Sequence, residues 1–260
     1  MKSINNTLFI GKVFHYLNVA TSTNDIAQNL LSEGVYTDGT SRNSLEGVVV
    51  CTFNQTAGRG QYGNTWISEP NSNIALSIIL KPHFIPIQQQ FYLNKIIALA
   101  VSDVMGKNTE GVSIKWANDI FIYDKKVSGI LIQNTLSRNI IDTSIIGVGI
   151  NVNQLRFEGL PHATSLRCET RKEFDLEHIV ENLCQAVEQR YLQLKSGKYA
   201  DLDAEYLSKL YRFGADALYQ YPNGTYFQGK IVGISDSGKL MIDSKVGLEY
   251  FNIKEVKFII

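Results

Sequence analysis

The chain has 260 residues, of which 25 are basic and 25 acidic, so its formal net charge is zero, and 44% of its residues are hydrophobic. That size admits one large domain, or a large one with a small one, and the apolar share is enough for a sizeable core. A neutral balance excludes a global field that would draw nucleic acid or an anionic membrane, and no apolar run approaches the roughly 18 residues a membrane span needs.

The N-terminus, MKSINNTLFIGKVFHYL, lacks an uninterrupted apolar stretch and does not read as a signal peptide. Next, TSTNDIAQNLLSEG opens with cap-type residues, carries Ile26, Leu30 and Leu31 on one face and stops at Gly34, which predicts a helix. GVVVCTF, Gly47–Phe53, is apolar and β-branched, a strand. After a glycine-rich run, IALSIILKP reads as a second strand. QQQFYLNKIIALAVSDVMG is apolar nearly all round and predicts a buried helix. Four strand-like runs follow, VSIKW, DIFIYD, KVSGILIQN and IIDTSIIGVGINVN, joined by short turns, so consecutive antiparallel strands are expected rather than βαβ units.

Beyond Pro161, the run EFDLEHIVENLCQAVEQRYLQLKSG keeps helical spacing from Leu176 to Leu194 and ends at Gly197. A shorter helix covers about Ala200–Leu210. From Phe213 the texture changes to short strands with tight turns, PNGT, DSGK and SKVG. The expected organisation is therefore an α+β domain over 1–212, with a mixed, largely antiparallel sheet packed with helices, and a small β-barrel over 213–260. Cys51, Cys168 and Cys184 are widely spaced and odd in number, which gives no disulfide framework or metal site and fits a reducing cytoplasm.

Four polar clusters stand out. Ser22–Thr23–Asn24 lies at a helix start, where a plain N-cap is the simplest reading. Within FNQTAGRGQYGNTW, the segment Gly58–Gly63 fits the dinucleotide fingerprint G-x-G-x-x-G letter for letter. That fingerprint works only between a strand and a helix N-terminus, and the segment after it, NTWISEPNSN, is no helix. Two readings stay open: a hairpin loop without a ligand, or backbone N–H groups and the Arg59 guanidinium forming an anion site that closes over its ligand.

The third cluster, KWAND at Lys115–Asp119, reads either as a surface turn or as a site. Lys115 lies in an apolar strand, where an unpaired ammonium is costly. The fourth is GVGINVN, Gly147–Asn153. Its glycines weaken a strand unless something approaches the backbone closely, and Asn151 and Asn153 point the same way. His15, His83, His162 and His178 lie near none of these motifs, no Ser/His/Asp set is evident, and no His, Cys and carboxylate cluster has metal-ligand spacing. Chemistry here rests on positioning and on charge stabilisation by Lys and Arg, as in phosphoryl and adenylyl transfer.

Together STN (22–24), QTAGRGQYGNTW (55–66), KWAND (115–119), KVSGILIQ (126–133), GVGINVN (147–153) and LPHATSL (160–166) resemble the biotin–protein ligases, biotin–[acetyl-CoA-carboxylase] ligase among them. The resemblance runs in order over about residues 10–200, and the C-terminal segment fits the family's small SH3-like domain. It implies a two-step reaction: biotin and Mg·ATP give biotinyl-5′-AMP and pyrophosphate, and a lysine of a biotin carboxyl carrier protein then takes the biotin. It also implies roles. Ser22, Thr23, Asn24 and Gln55 meet the biotin ureido ring. Arg59, Gly60 and Gln61 lie in a loop that orders over biotin and adenylate. Lys115 reaches the carboxylate and the α-phosphate, and Gly129, Ile130 and Leu131 supply backbone partners and a wall. Arg59, Gln61, Trp66, Lys115, Asn118 and Asn151 fall on the nucleotide, and no metal has protein ligands of its own.

Three positions depart from the family pattern. Gln61 stands where many members have a second Arg, Ala117 where they have Pro, and the tail NIKEVKFII offers Lys254 and Lys257 but no Arg. Some members begin with a DNA-binding helix-turn-helix. Here the ligase-like region starts within the first twenty residues, so specific DNA binding is not expected. A homodimer, common in the family, is compatible with the resemblance. Two alternatives stay open: a lipoate–protein ligase or octanoyltransferase of the same fold, disfavoured by GRGQYG and by WAND after the lysine, and a biotin-binding regulatory module that has lost catalysis.

Overall fold

The computed structural model of the chain describes residues 3–33 and 45–260. The predicted stop of the first helix at Gly34 lies outside the described residues. In chain order the larger part runs β1 (Phe14–Leu17), α1 (Thr23–Glu33), β2 (Val49–Thr52), β3 (Gly58–Arg59), β4 (Thr65–Trp66), β5 (Asn73–Leu80), α2 (Phe91–Gly106), β6 (Val112–Lys115), β7 (Asp119–Ile122), β8 (Lys125–Ser137), β9 (Ile140–Asn151), α3 (Leu166–Thr170), α4 (Leu176–Lys195) and α5 (Tyr199–Ser208). Seven strands form one sheet in the order β1-β2-β5-β9-β8-β7-β6. Only β1 and β2 pair in parallel there; the other neighbours are antiparallel. The four expected consecutive strands are β6 to β9, a meander closed by short turns.

Alternation along the strands sorts side chains between the two faces of the sheet. Leu76, Ile78 and Leu80 of β5 and Ile146, Val148 and Ile150 of β9 point into the main core with α2 and α4. The intervening Ile79 and Ile145 join Val48, Val50 and Ala27 in a smaller core beneath α1. Helix α2 packs against β6, β7 and β8 and also against α4 and α5, which is why it is apolar on nearly every side. Asp175 caps α4 through the Glu177 N–H, and Gly197, with φ +79, ends the turn after it.

A buried carboxylate ties the N-terminal segment to α4. Glu188 accepts from the Leu8, Phe9 and Ile10 N–H groups at 2.5, 2.7 and 2.9 Å and is only 6% exposed. Removing it orphans three donors at once. Glu188→Ala should therefore lower stability by about 2–4 kcal/mol, a fall of roughly 5–15 °C in a thermal melt for a chain of this size. A melt within a degree of wild type would remove this carboxylate from the stability account.

The C-terminal part is a second sheet of five antiparallel strands, β10 (Asp216–Gln220), β11 (Tyr226–Ile234), β12 (Leu240–Ser244), β13 (Gly247–Phe251) and β14 (Lys257–Phe258), in the order β13-β12-β11-β10-β14. Its turns fall where expected, with Gly224, Gly238 and Gly247 at positive φ. Tyr219, Tyr221, Phe227, Phe251 and Phe258 interlock as its aromatic filling. The sheet touches the larger part directly. Trp116 Nε1 donates to Gly238 O at 2.9 Å, and Tyr211, following α5, lies 5.3 Å from Phe121 and 6.3 Å from Phe258, ring centre to ring centre.

Candidate active site

Register places the singled-out residues. Cross-strand partners share a face of a sheet. One row on the face carrying α1 therefore reads Leu17, Thr52, Ala75, Gly149, Gly129, Asp119, Lys115. The next row reads His15, Val50, Ser77, Gly147, Leu131. Ala75, Gly129, Gly147 and Gly149 carry little or no side chain, so the middle of the sheet is a shallow trough. It runs from the N-terminus of α1 to Lys115. A cavity of about 580 Å³ fills it, within the range of small-molecule sites.

The glycines are there for close approach. A Cβ on Gly149 would lie 2.5 Å from Trp66 Cε2, so the indole lies on that glycine, and a Cβ on Gly129 would be 3.1 Å from the same ring. A Cβ on Gly147 would strike the Asn24 side chain, falling on Oδ1 and 2.9 Å from Cγ. What approaches the backbone closely is thus Trp66 and Asn24, both from the sequence motifs.

At the α1 end, Ser22, Thr23 and Asn24 are all nearly buried. Ser22 Oγ accepts the Asp25 N–H at 3.4 Å, the expected capping geometry, while the residue also lines the cavity. Gln55 Oε1 accepts from Thr23 N at 2.9 Å. Ser77 Oγ lies 2.8 Å from Thr23 Oγ1 and 2.6 Å from Asn24 Oδ1, and Asn24 Nδ2 donates to Gln133 Oε1 at 2.8 Å. A single hydroxyl proton serves only one of the two Ser77 contacts, so the cluster keeps acceptor capacity for an incoming donor. Ser77 and Gln133 were not singled out by the sequence. Period-two alternation from Ile79 and Ile145 puts both on this face.

The glycine-rich loop is a small hairpin, β3 paired with β4; its tip makes only a three-residue 3-10 turn, Gln61–Gly63, and the next element is a strand rather than an α-helix, which rules out the dinucleotide arrangement. Tyr62 and Gly63 at its tip take φ of +54 and +80. Arg59, Gly60 and Gln61 line the cavity. Arg59 Nη2 meets Asp25 Oδ2 at 2.9 Å, an exposed pair that contributes little and exchanges readily. From the C-terminal part, Lys254 Nζ sits 4.6 Å above the Tyr62 ring and 3.4 Å from Tyr62 O.

At the far end Asp119 pairs with Lys126 at 2.6 Å, not with Lys115, its cross-strand neighbour. The Lys115 ammonium lies 4.8 Å from the Phe258 ring centre and 5.5 Å from that of Phe121. Burial pushes its pKa below the ordinary lysine value; Asp119 opposes that shift, and Lys126 and Arg212 add to it. Lys126, missed as a site residue although it starts the KVSGILIQ motif, also lines the cavity. Asn118 stitches the KWAND turn to β8, donating from Nδ2 to Ile130 O at 2.6 Å and accepting from Ile130 N at its backbone carbonyl at 2.9 Å. The Trp116–Ala117 peptide in that turn is cis.

The sequence-derived residues Ser22 to Asn24, Gln55, Arg59 to Gln61, Trp66, Lys115, Asn118 and Gly129 to Leu131 all border the one cavity. Asn151 does not. It is buried at 3% exposure, donates from Nδ2 to Thr164 O at 3.0 Å, and its Oδ1 has no hydrogen-bond partner among the described residues. Among the described residues no group of three His, Cys, Asp or Glu side chains could hold a metal ion, and no helix is long and apolar enough to cross a membrane.

Residues 18–151 match the model of the biotin/lipoate A/B protein ligase family. Among curated proteins, the chain is 31% identical to the bifunctional ligase/repressor BirA of Bacillus spizizenii, an alignment that takes in 94% of this chain and 73% of that protein. It is 28% identical to the biotin–[acetyl-CoA-carboxylase] ligase of Mycobacterium tuberculosis, over 90% and 85% of the two chains. Among solved structures, the biotin protein ligase of Aquifex aeolicus in complex with biotin and ATP superposes with a TM-score of 0.76 at 26% identity, covering 95% of this chain and 99% of that one.

Proposed function

The chain belongs to the biotin/lipoate A/B protein ligase family, and from that membership we propose a division of its trough into a ureido end and a phosphate end, serving one ligation reaction. The enzyme is a biotin–protein ligase. It activates biotin with ATP to biotinyl-5′-AMP and transfers the biotin to a lysine of a biotin carboxyl carrier protein. The observation that carries the division is the trough itself: an uncharged polar cluster at the α1 end and a half-buried lysine at the other, on one face of one sheet.

A ureido group presents one acceptor and two donors. Thr23, Asn24, Gln55 and Ser77 offer uncharged partners of both kinds, and each buried ureido bond left unmade would cost about 1–3 kcal/mol. A dithiolane ring, as on lipoate, has no use for this cluster, which favours biotin over the lipoate reading. A biotin seated there directs its valeryl chain along the glycine floor toward Lys115. In the first step a carboxylate oxygen attacks the α-phosphorus, the bond to the β-phosphate bridge breaks, and pyrophosphate leaves. Lys115 and Arg59 hold the gathering negative charge, and Arg59 gives up Asp25 to do so. In the second step a neutral carrier amine attacks the acyl carbon and AMP departs.

Magnesium enters with the nucleotide phosphates, since among the described residues Asp119 is the only Asp or Glu lining the cavity and Lys126 holds it. Trp66 and Asn118 border the nucleotide region, whereas Asn151, outside the cavity lining, keeps an Oδ1 without a partner among the described residues. We read the C-terminal sheet, 213–260, as an SH3-like module packed on a catalytic domain over 1–212; its short antiparallel strands and aromatic filling support that reading. ATP as substrate and three unpaired cysteines fit the cytoplasm. A homodimer is compatible with the position of β1 at one end of the seven-stranded sheet; at the other end β6 is covered by Lys209–Tyr211. Zero net charge supports the absence of specific DNA binding; nanomolar, sequence-dependent affinity at physiological salt would overturn it.

The test is biotin-dependent ATP–pyrophosphate exchange, followed by transfer to a purified carrier domain. Exchange with biotin but not with lipoate or octanoate supports the assignment; biotin binding without exchange would leave a binding module. A companion measurement concerns the loop. The segment is anchored at its base by Thr56 N donating to Ala20 O and Ala57 N to Thr21 O, but Arg59 is 61% and Tyr62 60% exposed, so its tip stands in solvent before a ligand arrives. Amide hydrogen exchange across Thr56–Thr65 should slow on adding biotin and ATP, and unchanged rates would rule out closure over the ligand.

A further inference from the structure

Among the described residues Lys115 has no carboxylate of its own. Asp119 faces it across the β6–β7 pair yet is drawn to Lys126, and Arg212, Lys254 and Lys257 add only like charge around it. What touches the ammonium is aromatic. Phe121 comes from β7 of the same sheet, but the nearer ring, Phe258, comes from β14, the last strand of the C-terminal sheet. That ring is itself firmly placed. It is 8% exposed, stands edge-on to Tyr219 at 5.3 Å, and its strand is pinned on either side by Tyr219 pairing and by Arg212 Nη1 donating to Ile259 O at 2.8 Å.

We propose that Phe258 is a positioning residue for the ligation reaction: the C-terminal sheet completes the active site by setting an aromatic face against the Lys115 ammonium, keeping it charged and aimed along the trough. The inference rests on the role assigned to Lys115 above. Attraction between a cation and a ring face stabilises the charged form without a counter-carboxylate. A carboxylate in that place would neutralise the very charge a triphosphate needs. The ring thus lets a lysine sit partly out of water and still meet an anion at full charge.

The test uses the full chain with Phe258→Leu, Phe258→Tyr and, as a control inside the same sheet but away from the cavity, Ile242→Val. Leucine keeps the apolar cover and removes the ring. The charged form of Lys115 then loses support while burial stays, so its pKa falls further, by about half a pH unit. Biotin-dependent exchange should drop about three- to tenfold in kcat with the biotin KM unchanged, and its alkaline limb should move to lower pH. Tyrosine should restore both to within about twofold. Ile242→Val should lower the melt without moving the pH profile.

A second readout does not depend on activity: NMR titration of isotope-labelled lysine, with the Lys115 signal identified by its loss in Lys115→Gln. If Phe258→Leu leaves both the Lys115 titration and the alkaline limb where they are in wild type, the ring is only packing and the proposal falls. If wild type shows no exchange at all, the ligase reading fails and the catalytic half of the proposal with it, while the titration still decides whether the ring holds the ammonium.

Discussion

Lys115→Gln should fold as wild type does and lose roughly 10²–10³ in biotin-dependent ATP–pyrophosphate exchange, about 3–4 kcal/mol of transition-state stabilisation. The side chain makes no ion pair that the fold depends on; Asp119 is held by Lys126. Glutamine keeps most of the length and apolar stem between Phe121 and Phe258, so a thermal melt should move little. What it lacks is the charge. A carboxylate attacking an α-phosphate brings two anions together, and a fixed cation there acts without reorganising at the moment of reaction. Biotin affinity alone should weaken much less than the rate, because the ureido contacts lie at the other end of the trough.

The pH dependence has a definite sign. Burial lowers the Lys115 pKa below the ordinary lysine value, so the useful charge is present at neutral pH and is lost as pH rises through that lowered value. Wild-type exchange should therefore fade on the alkaline side, and the residual exchange of Lys115→Gln should lack that limb. A folded mutant within about threefold of wild type would remove Lys115 from the mechanism.

Gly147→Ala should cost about tenfold to a hundredfold in biotin affinity, ~1.4–2.8 kcal/mol. The new methyl would meet the Asn24 side chain, Oδ1 first and Cγ at 2.9 Å. Asn24 has nowhere easy to go. Its amide is tied to Gln133 at 2.8 Å and its carbonyl to Ser77 at 2.6 Å, and the residue is nearly buried at the start of α1. Moving it dismantles the cluster that recognises the ureido ring and wedges α1 away from β9, an overpacking cost typically of about 1–3 kcal/mol in stability. Gly233→Ala is the matched control, since a methyl there meets only Met241 Sδ at an ordinary 3.5 Å. Calorimetric titration with biotin reads the effect. Affinity within threefold of wild type in a folded Gly147→Ala protein would mean that Asn24 is not a recognition residue.

How far the sequence alone reaches can be judged from these residues. Periodicity and turn chemistry are local, and they placed α2, α4, the β6–β9 meander and the turns at Gly224, Gly238 and Gly247 correctly. They also excluded a dinucleotide site, because a strand rather than a helix follows the glycines. The motifs STN, GRGQYG, KWAND and GVGINVN were legible as polar or glycine-rich interruptions of apolar runs, each with an ordinary alternative. Their meeting was not. Only register decides that Gly149, Gly129, Asp119 and Lys115, on four adjacent strands, lie in one row, and a slip of one residue would turn them to the opposite face. The occupants of the glycine gaps, the pairing of Asp119 with Lys126 and the arrival of Phe258 at Lys115 from 143 positions along the chain are contacts between distant segments. They depend on how sheets and helices stack, and no local pattern encodes them.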